Sequence, residues 1–208
     1  GHKGNMQKGT HYDKSFAPTP AQHSSRTLQA IMVKYRLRRL TFDVAQAYVQ
    51  AVLPDHERIA VRYPDGFKRT HPETGEELFA ILRRSLYGHP AAGRYWDKHR
   101  NKEIMKAFNK NGWSCKRSLK EPCLMIIEHG NDYAYLLIHT DDGDMVGSSD
   151  AFLEEILAML NNIWECKRTD PVTMLGIQRH ITESKGVMEV EMTMTPFIEG
   201  MMEAFKAH

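Results

Sequence analysis

The stretch Tyr133-Ala-Tyr-Leu-Leu-Ile-His-Thr-Asp-Asp-Gly-Asp-Met-Val-Gly147 constrains this chain more than any other. An apolar, β-prone run stops at two adjacent carboxylates, Asp141 and Asp142, and the Asp-Gly that follows is a strong hairpin signal ahead of a second apolar run. The pattern predicts a β-hairpin with an acidic tip turning at Asp142-Gly143. Side chains alternate faces along a straight strand, so two adjacent carboxylates cannot serve one site from its interior, whereas a tight turn can aim both at a single ion. Neighbouring carboxylates repel and lose hydration unless a cation lies between them, and a hard divalent ion with oxygen ligands is the usual partner. Asp-Asp-Gly-Asp is also an ordinary solvated turn, so other residues must join it before it counts as a site. A calcium loop is set aside: counting from Asp142, Val146 takes the fifth place, and Leu153 falls where the bidentate Glu belongs.

The charge distribution adds to this. Between residues 81 and 120 there are eleven Lys/Arg against two acids, Asp97 and Glu103, whereas residues 121–165 carry ten acids and no Lys or Arg. A basic block beside an acidic one suits a surface that grips phosphates next to a site that holds metal ions. Uneven solvated faces would give the same count, so the blocks gain meaning only with the hairpin. Cys115, Cys123 and Cys166 form no CxxC pair and leave an odd number, which points to a reducing, intracellular setting rather than a disulfide framework or zinc knuckle. No apolar leader or membrane span is expected. At 208 residues the chain can build one sizeable core or two small ones.

In chain order, residues 1–26 read as an irregular lead-in, and Leu28, Ile31, Met32 and Tyr35 as one face of a helix. Arg39-Leu-Thr-Phe-Asp-Val44 reads as a strand with Asp43 at its end. The runs 58–63 and 77–82 read as a hairpin, and a helix from near Ala91 presents Tyr95, Trp96, Ile104 and Phe108, most simply as core. A buried strand over 123–127 follows. After the acidic hairpin come a helix capped by Ser149 or Asp150, a strand over 174–181, a second strand after Lys185-Gly186 and a helix begun by Thr195-Pro196. This is a βαββαβ-like order, which predicts an α+β fold: an antiparallel sheet with helices on one face. Asp43 then joins Asp141 and Asp142 in the arrangement of three carboxylates that a two-metal site needs, with ions about 3.5–4 Å apart.

Ordered along nearly the whole chain are Lys3-Gly4, Gln7, Gly9, Tyr12 and Phe16-Ala-Pro18; Phe42-Asp-Val44 with Ala47-Tyr48; Tyr63-Pro-Asp-Gly-Phe67; Leu82-Arg-Arg-Ser-Leu-Tyr-Gly88 with Arg94 and Trp96; Pro122-Cys-Leu124; Thr140-Asp-Asp142; and Leu175-Gly-Ile177. Together they resemble the copia-type LTR-retrotransposon reverse transcriptases. The resemblance implies a polymerase palm with partial fingers, divided as lead-in and helix (1–36), palm strand (37–56), fingers hairpin and pocket turn (57–90), palm (91–182), and a hairpin with the start of a thumb helix (183–208). It implies that Asp43, Asp141 and Asp142 hold two Mg²⁺ ions, with Mn²⁺ as a substitute. Tyr48 would exclude a 2′-hydroxyl, Tyr87 and Gly88 would shape the nucleotide pocket, and Lys167 would protonate the departing pyrophosphate. Arg94, Lys98 and Lys102 are the expected nucleic-acid contacts. The implied partners are an RNA or DNA template, a DNA primer and dNTPs, with an adjoining ribonuclease H in the full polyprotein; the oligomeric state is left open. The sequence departs from the family at His139-Thr140, where the family has Tyr-Val, and at Ala91 and Gly93, where it has Gln and Pro. The family's basic fingers strand is expected upstream of residue 1, and the chain stops in the first thumb helix. The alternative expectation is therefore a catalytically weak or inactive reverse-transcriptase-like domain that binds RNA or a protein partner.

Overall fold

The computed structural model describes residues 6, 8, 9, 12, 14–57, 59–170, 173, 174 and 177–206. Lys3, Gly4, Gln7, Arg58, Leu175 and Gly176, which carry parts of the readings above, lie outside the described residues. The elements are α1 (Gln22–Tyr35), β1 (Arg38–Val44), α2 (Ala47–Gln50), β2 (Ala60–Arg62), β3 (Phe79–Ile81), α3 (Ala92–Lys110), β4 (Ser114–Arg117), β5 (Leu124–His129), β6 (Asp132–His139), β7 (Asp142–Gly147), α4 (Asp150–Asn161), β8 (Cys166–Thr169), β9 (Thr173–Met174), β10 (Ile177–Ser184), β11 (Val187–Thr193) and α5 (Thr195–Lys206). The chain forms two compact units, one of Gly1–Pro18 with Gln46–Lys102 and one of Thr19–Ala45 with Glu103–His208.

In the second unit a six-stranded sheet runs β4-β5-β6-β7-β1-β8, with every neighbouring pair antiparallel. The α+β class with an antiparallel sheet is thus as expected. The pleat puts Leu40, Phe42, Leu136, Ile138 and Met145 on one face, all essentially inaccessible. On that face Gly147 packs so closely beneath Leu153 that an added Cβ would lie 2.9 Å from Leu153 Cδ2. Ser149 caps α4 by accepting a 3.2 Å hydrogen bond from Phe152 N, and the stripe Phe152, Leu153, Ile156, Leu157 and Leu160 is buried. Each such side chain contributes roughly 1.5–3 kcal/mol on burial. Trp113 lies between the rings of Phe152 and His129 and meets Phe108 of α3 edge-on.

The expectation of helices on one face needs correction. Leu28 and Met32 of α1 cluster with Leu137 and Val146, which the same register places on the opposite face from Leu136 and Met145. Strands buried on both sides accept a helix on either, and periodicity along one helix does not say which face it will meet. Tyr35, expected on the buried face of α1, is exposed. The N-terminus of α1 is held from outside the helix: Glu121 accepts hydrogen bonds from Ala21 N at 3.0 Å and Ser24 Oγ at 2.6 Å, and its other oxygen accepts one from Cys123 N. Burial alone would raise the Glu121 pKa, but these bonds to its ionised form hold it below the ordinary value.

Cys115 in β4, Cys123 just ahead of β5 and Cys166 in β8 are buried and unbridged. Burial pushes the Cys115 thiol up to about 12, and burial with the nearby Asp43 carboxylate pushes Cys166 up to about 11. The predicted single strand over 174–181 is two strands: β9 and β10 pair antiparallel with Met174 opposite Ile177, and β11 completes a three-stranded sheet. In the first unit β2 and β3 form the expected hairpin, in the register Arg62 to Phe79. Among the described residues no helix is long and apolar enough to cross a membrane.

Candidate active site

The acidic hairpin turns two residues earlier than Asp-Gly predicts. His139 pairs with Asp142, so the two turn residues are Thr140 and Asp141, and Gly143 lies inside β7. Thr140 takes the left-handed conformation, φ 53°, which is uncommon for a β-branched residue. Gly143 is required for a different reason: an added Cβ would sit 2.2 Å from Phe42 Cζ, so the Phe42 ring occupies the space of the missing side chain.

The register places Asp43 of β1 directly opposite Asp142 of β7. Asp141 joins them from the turn, its carbonyl accepting a 2.9 Å hydrogen bond from Val44 N at the end of β1. One oxygen from each of the three half-buried carboxylates falls within 4.8 Å of the others. Burial first, then repulsion from Asp141, raises the Asp43 pKa, with Lys167 opposing. Burial, then Asp141 and Asp43, raises Asp142, with His139 opposing. Three hard oxygen donors, with the ionised forms of Asp43 and Asp142 destabilised, fit a divalent cation. Lys167 of β8 is the cross-strand partner of Asp43, and its exposed Nζ also lies 3.1 Å from Glu165.

The remaining predicted residues belong to the first unit. Tyr48 of α2 meets the exposed ring of Tyr87 at 5.0 Å between centroids, and Gly88 has φ 92°. Arg94, Lys98 and Lys102 repeat every fourth residue along α3 and line a cavity of ≈ 510 Å³ together with Lys14, His56 and His99. His99 belongs to α3 itself, whereas Lys14 and His56 carry no local pattern, and only the fold brings them to the α3 stripe. The basic block does not act as one: Arg100 is buried on the other side of α3, 2.7 Å from Asp97. Likewise, within the acidic block Glu121 is committed to α1, and Asp144 to an ion pair with Arg39.

The profile of the family described as "Reverse transcriptase (RNA-dependent DNA polymerase)" matches residues 2–207 of this chain. Two curated relatives from Arabidopsis thaliana are the Retrovirus-related Pol polyproteins from transposons RE2 and RE1, 24% and 25% identical over 178 residues. Each alignment covers 84% of this chain and 11% of the relative, so the chain spans about a tenth of the polyproteins it matches.

Proposed function

Because the chain belongs to the reverse transcriptase (RNA-dependent DNA polymerase) family, we propose that it is the fingers and palm portion of a copia-type enzyme, extending a DNA primer on an RNA or DNA template with dNTPs. The observation that carries this reading is the meeting of Asp43, Asp141 and Asp142 across the β1–β7 register, in a chain that matches the family over almost its full length. In this reading the six-stranded sheet is the palm, β2–β3 a fingers hairpin, and β10, β11 and α5 the approach to a thumb, with bounds 1–36, 37–56, 57–90, 91–182 and 183–208.

Asp43, Asp141 and Asp142 would hold two Mg²⁺ ions, for which Mn²⁺ could substitute, and when bound these would supply charge neutralisation at the α-phosphate and activation of the primer 3′-hydroxyl. The chain's own residues do the rest. Asp43 and Asp142 fix the donor spacing from two paired strands. Tyr48 meets the sugar edge and rejects a 2′-hydroxyl by bulk, while Tyr87 and Gly88 shape the nucleotide pocket. Lys167 gives a proton to the departing pyrophosphate. Arg94, Lys98 and Lys102 bind backbone phosphates, an attachment that salt weakens. The natural setting is an intracellular polyprotein with an adjoining ribonuclease H.

Primer extension on an annealed RNA template with dNTPs and Mg²⁺, compared between the wild-type chain and the Asp141→Asn, Asp142→Asn double variant, tests the proposal. Extension in the wild type alone supports it; wild-type protein that binds primer-template without extending it sinks the catalytic claim and leaves a binding domain. A second expectation follows from the raised pKa values. Ionised Asp43 and Asp142 oppose folding, so the cation-free protein gains stability as pH falls through their folded pKa values and loses it as pH rises through them. Asp142→Asn therefore raises the cation-free Tm at neutral pH and abolishes the further rise that Mg²⁺ gives the wild type.

A further inference from the structure

The sheet face that carries Asp43 and Asp142 holds a second charged cluster. Arg39 Nε lies 2.7 Å from Asp144 Oδ1, and Arg39 Nη2 lies 3.0 Å from Asp144 Oδ2, a two-pronged pair whose side chains are 3% and 0% exposed. Arg39 precedes Asp43 by four residues on β1, and Asp144 follows Asp142 by two on β7, so the pleat aims all four side chains to one side. The pair therefore joins the same two strands whose register sets Asp43 opposite Asp142. Thr41, opposite Asp144, donates to Thr169 O at 3.1 Å and accepts from Thr169 Oγ1 at 3.0 Å, which ties β1 to β8 in the same row. Arg179 of β10 is buried close enough to Arg39 and Asp144 to feel both charges, donates to Ser25 Oγ of α1 at 2.8 Å, and keeps Nε and Nη1 without a hydrogen-bond partner.

An ion pair this dry gives little net stability over apolar side chains of similar volume. What it supplies instead is direction. Apolar contacts tolerate sliding and rotation, whereas a guanidinium fork on a carboxylate has one geometry. A one-residue slip of β1 against β7 would send Arg39 and Asp144 to opposite faces and leave both charges buried alone. Resting on the metal-binding reading of the carboxylates, we propose that Arg39 and Asp144, backed by Arg179, are positioning residues that fix Asp43 against Asp142 and so set the divalent-cation affinity of the cluster.

The test is a Mn²⁺ titration, followed by the free-ion electron paramagnetic resonance signal, at a temperature well below each variant's Tm. The variants are Arg39→Lys, which keeps the charge and loses the fork, and the double change Arg39→Met, Asp144→Leu, which keeps an apolar filling. The double variant is expected to hold its Tm within a few degrees while its Mn²⁺ Kd weakens about tenfold, the usual scale for losing a group that orients metal ligands. Arg39→Lys should lie between it and the wild type, and decides the case if the double variant fails to fold. A folded variant that lacks the fork yet keeps the wild-type Kd overturns the positioning role and leaves the metal site standing. Wild-type protein that binds no Mn²⁺ overturns both.

Discussion

The six-stranded sheet and the β2–β3 hairpin draw on the same β-prone residues, yet they handle them in opposite ways. In the sheet, β6 and β7 are buried on both faces, and Leu136, Leu137, Ile138, Met145 and Val146 are all closed to solvent. In the hairpin, three-residue strands follow an exposed, half-buried, exposed pattern, and Phe79 and Ile81 face outward. A two-stranded ribbon is marginal by itself, while a doubly covered sheet resists sliding. The carboxylate cluster of Asp43, Asp141 and Asp142 rests on the second kind of support.

If that contrast is right, truncation should separate the two regions most sharply. Phe108→Ala, in the sheet's unit, should lower unfolding free energy by about 3–5 kcal/mol, whereas Phe79→Ala in the hairpin should cost under about 1 kcal/mol, both read from urea midpoints at constant m-value. A milder probe is glycine. Gly143→Ala must displace the Phe42 ring and should cost about 1–3 kcal/mol, measured as a drop in Tm. Gly75→Ala, in the segment joining β2 to β3, meets nothing within 4 Å and pays only for its positive φ of 71°, about 1 kcal/mol. Within the sheet, Thr140→Gly should reverse the sign: relieving the left-handed threonine should gain about 1 kcal/mol, and a loss would show that the hydroxyl holds the turn. The smallest effect belongs to the sheet's edge. Arg168→Ala removes an exposed contact with Glu154 and should change stability by less than about 1 kcal/mol, vanishing in high salt.

The carboxylate triad was legible because each member announces itself locally, Asp43 at a strand end and Asp141 and Asp142 at a hairpin. The turn was misread by two residues because Asp-Gly is a strong turn signal wherever it occurs, and nothing near Gly143 in sequence reveals that Phe42, 101 positions earlier, needs its space. Asp144 looked like one more acid of the tip; its partner is visible only once β1 and β7 are in register. The Arg94, Lys98, Lys102 stripe follows from helical spacing, but Lys14 and His56 reach the same cavity from separate segments. For the same reason no periodicity could assign α1 to the face opposite α4: each helix is amphipathic, and the two-faced sheet accepts either.

The three buried thiols have a kinetic consequence. With Cys115 and Cys166 pushed to about 12 and about 11, almost none of either is thiolate at neutral pH while the sheet is closed. Alkylation must then wait for local opening, and its rate becomes a clock for that event. Cys115 sits on edge strand β4 and Cys166 on edge strand β8, the strand beside Asp43. The relative labelling rates of these two cysteines, followed by peptide mass, therefore report which border of the sheet breathes first. A divalent cation that slows Cys166 and not Cys115 would show the metal-binding border stiffening alone.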